Sequence, residues 1–523
     1  MPQGSITTSA APDTATATAS GDRAEAPART RFAPSPTGLQ HVGGYRTALF
    51  SWLLARHTNG QFLLRIEDTD IARTVPGAVE AVIEGFKWLG MDIDEGPEIG
   101  GPYGPYFQTQ RRDLYLPYVE RLIESGAAYR CFCTRERLAQ VKQSQIARHL
   151  PPRYDRHCRN MSKQEIARNL SEGKSYTVRL ASPLEGKTLV SDALRPTPIE
   201  FDNATLDDAI LLKSDGFPTY HLAHAIDDHL MRITHVLRAE EWISSAPLHV
   251  IIYRALGWEP PIFAHVPDVL EPTGRKKLSK RESAIPMLEY RERGFLPEAL
   301  FNYMALLGWS YDDKENVLSR DQIIAAFTLD RVGVAPARYD EGRLLWFNGY
   351  YIRQLSADDL LERALPFLER QEAAGGLPDS VARPVDRDYA RRVLALEQER
   401  MKTLAEAPGM TSFFFVNTLE YPAQTLIAKH MDAATTLDGL RRSLTVLESL
   451  DGWVAADMEA RMRDLVTELG LKPVQLFTSL RVAVTGRTVS PPLFETMEAL
   501  GREVSLARLR QAISALETGA TGA

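Results

Sequence analysis

The chain has 523 residues, enough at roughly 150 per domain for three or four domains and a sizeable core, which excludes a single small binding module. Charged residues make up 25% and hydrophobic residues 44%, ordinary globular proportions that exclude global disorder, a collagen-like fibre and a coiled-coil rod. The 61 Lys and Arg against 68 Asp and Glu leave a net charge of −7, so no whole-chain positive field draws in nucleic acid, and any binding of RNA would have to use local patches.

The three cysteines, Cys131, Cys133 and Cys158, are too few and too odd in number for a secreted disulfide framework, and a reducing cytoplasm is expected. No run of about 18 apolar residues predicts a membrane span. Residues 1–30 lack the basic and apolar regions of a signal peptide. Rich in Ala, Thr, Ser and Pro, they are expected to form a disordered tail.

Order is expected from about Arg31, where a short apolar stretch runs into the turn Pro34-Ser35-Pro36-Thr37-Gly38. Apolar residues at helical spacing from Tyr45 to Arg56 predict a helix, with His41-Val42-Gly43-Gly44 at its start. Strand, glycine turn and helix in that order form a geometry that accepts phosphate. Phe62 to Asp70 predicts a buried strand ending in carboxylates, and Ala78 to Gly90 an amphipathic helix. This β-α-β-α start predicts a parallel α/β domain. Between residues 110 and 220 the cysteines, a polar stretch and short strand-like pieces such as YTVRL and TLVSD predict an inserted α+β subdomain. Apolar α/β segments resume at Leu248 to Trp258, and the basic cluster Arg275 to Arg281 follows. From about Leu288 helical periodicity dominates, broken at GGLPDS and RPVD, with no internal repeat.

Two motifs carry chemistry. In PSPTGLQHVGG, Pro34 to Gly44, small glycines at a helix start let a nucleotide approach the backbone, and a nearby imidazole stabilises charge on a transferring phosphoryl group. Alone this also reads as an ordinary tight turn with a surface histidine. In RKKLSKR, five cations within seven residues suit a loop that clamps a triphosphate. Alone this also reads as a solvated basic loop. The two together, flanking an α/β domain with an insertion, resemble the class I aminoacyl-tRNA synthetases, whose HIGH and KMSKS signatures match HVGG and KLSKR. The closer resemblance is to the glutamyl-tRNA synthetase family. FAPSPTGLQHVGG, RIEDTD, EGPEIGGPYGPYFQTQR, LLKSDGFPTYHLAHAIDDHLMRITHVLRAEEW and KLSKR follow in that family's order and spacing, and the likeness runs from about Arg31 to the C-terminus.

The resemblance implies a Rossmann-like parallel-sheet catalytic domain with an α+β insertion, followed by an all-α C-terminal anticodon-binding region. The implied boundaries are a tail at 1–30, catalytic halves at 31–109 and 225–287 and an acceptor-binding insertion at 110–224. A stem-contact region at 288–358 and a helical anticodon-binding region at 359–523 follow. The implied activity is ATP-dependent ligation of L-glutamate to tRNA(Glu) through a glutamyl-adenylate, with ATP and Mg2+, by a cytoplasmic monomer with no membrane partner. By position, His41, Lys277 and Lys280 would be catalytic. Pro34, Gly43, Gly44, Glu241 and Trp242, with Lys280, would hold ATP. Arg31, Ser35, Glu67, Tyr220, His224 and Arg238 would line the glutamate pocket. His224 stands where some relatives carry Asn, which leaves its substrate contact open.

Cys131, Cys133 and Cys158 resemble a structural Zn2+ site of some bacterial relatives. The histidine expected after the third cysteine is replaced by Asn160, so the fourth ligand would be Tyr154 or His157. The other reading is three free thiols. Asp227 and Asp228 read as structural or as shaping the ATP site. Arg391, Arg392, Arg400, Arg441, Arg442, Arg461, Arg463 and Arg481 are candidates for tRNA phosphate contacts, most of them ordinary solvated charges.

Three alternatives stand beside this expectation. One is a non-discriminating enzyme that also charges tRNA(Gln), for which single-strand readout leaves no local signature. Another is a glutamyl-Q tRNA(Asp) synthetase, which the long helical C-terminal region opposes. The last is a catalytically silent tRNA-binding paralogue, opposed by intact His41, Lys277, Lys280 and Arg31. A glutaminyl-tRNA synthetase would carry a PEPNG-type first motif in place of PSPTG.

Overall fold

The computed structural model describes residues 26–278, 285–312 and 316–520. The chain divides into two compact units, one formed by the chain up to Leu288 with Phe301–Asp340, the other by Glu289–Leu300 with the chain from Glu341 onward.

The first unit starts with β1 (Arg29–Phe32), α1 (Val42–His57) and β2 (Gln61–Leu64), the two strands running parallel with Arg29 opposite Gln61. Phe62, Leu63 and Leu64 are all buried, as befits a parallel strand covered on both faces. Helix α1 begins at Val42, earlier than its apolar periodicity suggests, because His41 accepts from the Gly43 amide and caps it. Helix α2 (Ala78–Leu89) ends at Gly90 in the left-handed conformation. Its Phe86 packs against Phe32, Tyr45 and Phe62 at ring separations of 5.9, 5.3 and 5.7 Å.

The expected strand from Phe62 to Asp70 stops at Leu64. Beyond it the chain still follows β1 and the loop after it: the Arg65 amide donates to the carbonyl of Phe32, the last residue of β1, and the Glu67 amide to that of Pro34, each at 3.0 Å. The side chains of Arg65 and Glu67 enter a buried ion network described below.

The middle of the unit is α+β, as expected. Helix α3 (Arg112–Glu124) leads to β3 (Ala128–Cys131). Helices α4 (Arg135–Ala147) and α5 (Lys163–Ser171) follow, the latter started by a reciprocal Ser162–Glu165 capping box. Strands β4 (Thr177–Leu180), β5 (Lys187–Val190), β6 (Ile199–Asp202) and β7 (Ile210–Leu212) complete it. β3, β4 and β7 form an antiparallel sheet, and β5 and β6 an antiparallel pair. The chain then returns to α6 (Tyr220–Leu230), β8 (His235–Ala239), α7 (Ala246–Ala255) and β9 (Ile262–Val266), with β8 and β9 parallel. The Thr234 amide donates to the Arg29 carbonyl at 2.9 Å, which sets β8 beside β1. Leu63, Val178, Leu212, Leu222, Val236 and Phe263 share one apolar core, so the antiparallel sheet and the parallel strands are packed together.

The second unit is helical. Leu440, Leu447, Met458, Met462, Leu480 and Met497 form its core. Buried Arg508 donates to the carbonyls of Phe413, Val416 and Val484, neutralising the ends of the helices Ala407–Phe415 and Pro473–Thr485. Several of the candidate RNA-binding arginines are paired with carboxylates: Arg391 with Asp358 and Asp388, Arg400 with Glu397, Arg441 with Glu517, Arg442 with Glu468 and Arg463 with Glu459. The architecture is therefore α/β with parallel strands and an α+β middle, followed by an all-helical C-terminal region. Among the described residues no helix is long and apolar enough to cross a membrane.

Candidate active site

A cavity of about 780 Å³ opens where β1 and β8 end and α1 begins, the place where parallel α/β sheets bind ligands. Arg31, Pro34, Ser35, His41, Gly43, Gly44, Glu67, Tyr220, Arg238, Glu241, Trp242 and Lys277 all line it, so the structure brings twelve sequence-predicted residues together. His224 does not line it, and Lys280 lies outside the described residues.

One end is suited to phosphate. The His41 imidazole folds over the first turn of α1, accepting from Gly43 N at 3.1 Å. A Cβ at residue 43 would come within 2.9 Å of that ring, so only glycine leaves the histidine in place. Lys277 reaches Glu241 at 2.6 Å and Asp268 at 2.9 Å. Partial burial favours its neutral form, but the two carboxylates outweigh that and raise its pKa, keeping it charged. Tyr220 and Trp242 pack with ring centroids 4.4 Å apart.

The other end is built on buried charge. Arg31 donates Nε and Nη2 to the two oxygens of Asp228 at 3.1 and 3.2 Å. Arg65, fully buried, donates to Asp228 at 2.7 Å and to Glu67 at 3.1 Å. Asp227 accepts from Arg111 at 2.6 Å and from Gln108 and Tyr115 at 2.9 Å each. Burial raises the Asp228 pKa, yet Arg31 and Arg65 outweigh it and hold that carboxyl below the usual range. Glu67 differs: burial dominates over Arg65 and Arg31 and pushes it up to about 7. A carboxylate so poised gains from any cation that enters beside it.

His224 stands behind this wall, fully buried, its Nδ1 3.2 Å from Arg31 Nη2 and 3.1 Å from Asp228. The expectation that it lines the pocket is corrected: one turn after Tyr220 on the same face of α6, its ring stacks on that of Tyr220 at 5.2 Å and, fully buried, supports Arg31. Burial and the neighbouring guanidinium groups push its pKa far below the usual imidazole range, so it is neutral. Arg238 donates to Tyr220 Oη at 3.2 Å and to His249 Nδ1 at 3.1 Å, while its buried Nη2 has no hydrogen-bond partner among the described residues.

The three cysteines gather elsewhere: Cys131 at the end of β3, Cys133 between β3 and α4, and Cys158 in the loop before α5. Their sulfur atoms lie within 4.8 Å of one another. Tyr154 Oη is 3.2 Å from Cys131 Sγ and 3.4 Å from Cys133 Sγ, whereas His157 is exposed and outside the cluster. Of the two fourth-ligand candidates, the geometry therefore favours Tyr154.

Sequence reasoning missed Arg65, Arg111, Gln108 and Tyr115, which hold the two aspartates. An arginine inside the apolar stretch FLLRIE was the available signal, because a charge there must be paired.

The family described as tRNA synthetases class I (E and Q), catalytic domain, matches residues 27–346, and an anticodon binding domain matches residues 359–513. A glutamate–tRNA ligase of Roseiflexus castenholzii is 49% identical over 496 residues, 94% of this chain and 97% of that protein. One of Chloroflexus aurantiacus is 46% identical over 94% of this chain and 99% of its own length. The crystal structure of a glutamate tRNA ligase from Elizabethkingia meningosepticum in complex with its amino acid superposes with a TM-score of 0.84 at 35% identity, covering 93% of this chain and 99% of that one. With the motifs, the cavity and the relatives in agreement, the chain belongs to the glutamate–tRNA ligase family of class I aminoacyl-tRNA synthetases.

Proposed function

We propose that the protein ligates L-glutamate to tRNA(Glu) in two steps. The α-carboxylate oxygen of glutamate attacks the α-phosphorus of ATP, forming the mixed anhydride and expelling pyrophosphate. The 3′-terminal hydroxyl of tRNA then attacks the anhydride carbonyl and expels AMP. The observation that carries this reading is a single cavity with buried guanidinium groups and a carboxylate at one end and a capped, glycine-opened helix N-terminus with a charged lysine at the other. No residue acts as a covalent nucleophile. Positioning and electrostatics supply the acceleration.

At the amino-acid end, Arg31 and Arg238 meet the carboxylates, Glu67 holds the ammonium group, and Ser35 and Tyr220 complete the wall. Glutamine in place of glutamate would leave a buried guanidinium poorly paired, at roughly 2–5 kcal/mol. At the nucleotide end Pro34, Gly43 and Gly44 admit ATP to the backbone, Glu241 and Trp242 flank the nucleotide, and His41, Lys277 and Lys280 neutralise the phosphates as charge develops. ATP enters as its magnesium complex.

In the same reading residues 31–109 and 225–287 form the catalytic halves, 110–224 receives the acceptor end, 288–358 contacts the stem and 359–523 reads the anticodon. The enzyme works as a cytoplasmic monomer. Cys131, Cys133, Cys158 and Tyr154 would hold a structural zinc ion. Their spacing suits tetrahedral coordination with Zn–S distances of about 2.3 Å. Arg137 Nη1, 3.4 Å from Cys133 Sγ, and the Arg179 guanidinium, 3.9 Å over the Tyr154 ring, compensate the negative charge of such a ligand set.

Pyrophosphate exchange into ATP should require L-glutamate together with tRNA(Glu), and Lys280→Ala should lower the exchange rate by orders of magnitude with little change in tRNA affinity. Exchange that persists at the wild-type rate would remove the loop from the reaction. With Glu67 near neutrality at about pH 7, its ionised form is lost as pH falls, so the glutamate KM should rise about tenfold from pH 8 to pH 6. Glu67→Gln should give a high KM that no longer varies with pH. Metal analysis should find one zinc ion per chain, and Cys158→Ser should lose it. Metal-free protein with intact thiols would leave the free-thiol reading.

A further inference from the structure

Arg238 on β8 faces His265 on β9 across the parallel strand pair. Arg238 Nε donates to His265 Nε2 at 2.9 Å, with both residues buried. A guanidinium offers only donors, so Nε2 must carry the ring's lone pair and the proton must sit on Nδ1. That proton points at Asp192 Oδ2, 2.6 Å away, which also accepts from the His265 amide at 3.1 Å. The second oxygen of Asp192 accepts from Leu194 N at 2.9 Å and lies 3.3 Å from Arg195 Nη1. Both oxygens are therefore committed as acceptors, and Asp192, His265 and Arg238 form one directed chain of hydrogen bonds. Burial lowers the His265 pKa in spite of Asp192, consistent with the neutral ring this arrangement requires.

The chain of bonds decides where Arg238 points. Its Nη1 is taken by Tyr220 and His249, and its guanidinium lies 5.1 Å over the Phe263 ring. Fixing Nε on His265 sets the guanidinium plane and leaves Nη2, buried and without a partner among the described residues, unsatisfied on a residue that lines the cavity. Asp192 belongs to the α+β middle of the unit, just after β5. It pairs with Phe263 as an isolated parallel bridge, and the Ala193 amide donates to the Phe263 carbonyl at 2.7 Å.

We propose that Asp192 and His265 are positioning residues for Arg238. They set the plane of its guanidinium so that Nη2 meets a carboxylate of glutamate, and they make that alignment depend on the seating of the inserted subdomain against β9. The proposal rests on the ligase reading above. Neither residue touches substrate, and each acts only through Arg238.

The test is glutamate-dependent pyrophosphate exchange by the full-length protein with tRNA(Glu) present. His265→Phe keeps a flat ring beside Phe263 but removes the acceptor, and it should raise the glutamate KM about tenfold to a hundredfold with the ATP KM and tRNA affinity unchanged. His265→Gln, whose amide oxygen can still accept from Arg238, should restore most of the loss. Asp192→Asn turns one acceptor into a donor facing N–H groups and should reproduce the His265→Phe effect, which covers the case in which that variant does not fold. In an Arg238→Lys background His265→Phe should add little, since its effect passes through the guanidinium it no longer has. A glutamate KM within twofold of wild type, a parallel rise in the ATP KM, or multiplying effects in the double variant would overturn the proposal. Wild-type exchange tests the ligase reading and the variants test the relay, so the two can fail separately.

Discussion

The catalytic unit depends on placing Arg31, Arg65 and Arg111 opposite Asp227, Asp228 and Glu67 out of contact with water. Removing one member of such a network strands a charge in a low-dielectric interior, at about 3–5 kcal/mol, so each member fixes the others. The six come from β1, the extension of β2, the turn before α3, and α6. Their pairing therefore sets how these elements meet, well beyond what the short strand ladders could specify. Five of the six charges are closely compensated. Glu67 is the exception, held by a single 3.1 Å contact to Arg65 and raised towards neutrality. The network is stable as a scaffold and incomplete at the point where an ammonium group would arrive.

The end proposed to take the nucleotide is organised differently. There the charges are partly exposed and their partners replaceable: Lys277 rests on Glu241 and Asp268, groups that can exchange for phosphate oxygens. His41 spends one ring nitrogen on the helix N-terminus it caps. A buried, ion-paired end beside a partly exposed one suits the proposed reaction, in which a small substrate must be selected and a triphosphate must move as its leaving group departs. The −7 net charge leaves RNA recognition to local basic surfaces and shape, with affinity that falls steeply with salt.

Contiguous features were legible in the sequence. HVGG at a helix start, RIEDTD after an apolar strand and RAEEW at the end of β8 keep their residues together in three dimensions because each is one turn or one strand end. What was not legible depends on pairings between distant, isolated residues. Nothing local to Arg111 points to Asp227, 2.6 Å from it in the fold, and Asp192 and His265 carry no motif at all. His224 illustrates the same limit within one helix: spacing alone puts it a turn from Tyr220, but only packing shows that it faces Arg31 from behind. The residues just beyond β2 show the same limit, since Arg65 pairs with Asp228 on α6 and with Glu67 two residues on. The cysteine cluster lay between these cases, with its sulfur spacing visible in sequence and the choice of Tyr154 over His157 visible only once the loop was folded.

The central claim is that buried, pre-oriented charge selects a dicarboxylate. The measurement that tests it most directly is the ratio of kcat/KM for glutamate and glutamine in aminoacylation of tRNA(Glu) by the intact protein. Glutamate should be preferred by about a hundredfold or more, because an amide leaves a buried guanidinium unpaired. Comparable values for the two amino acids would contradict it.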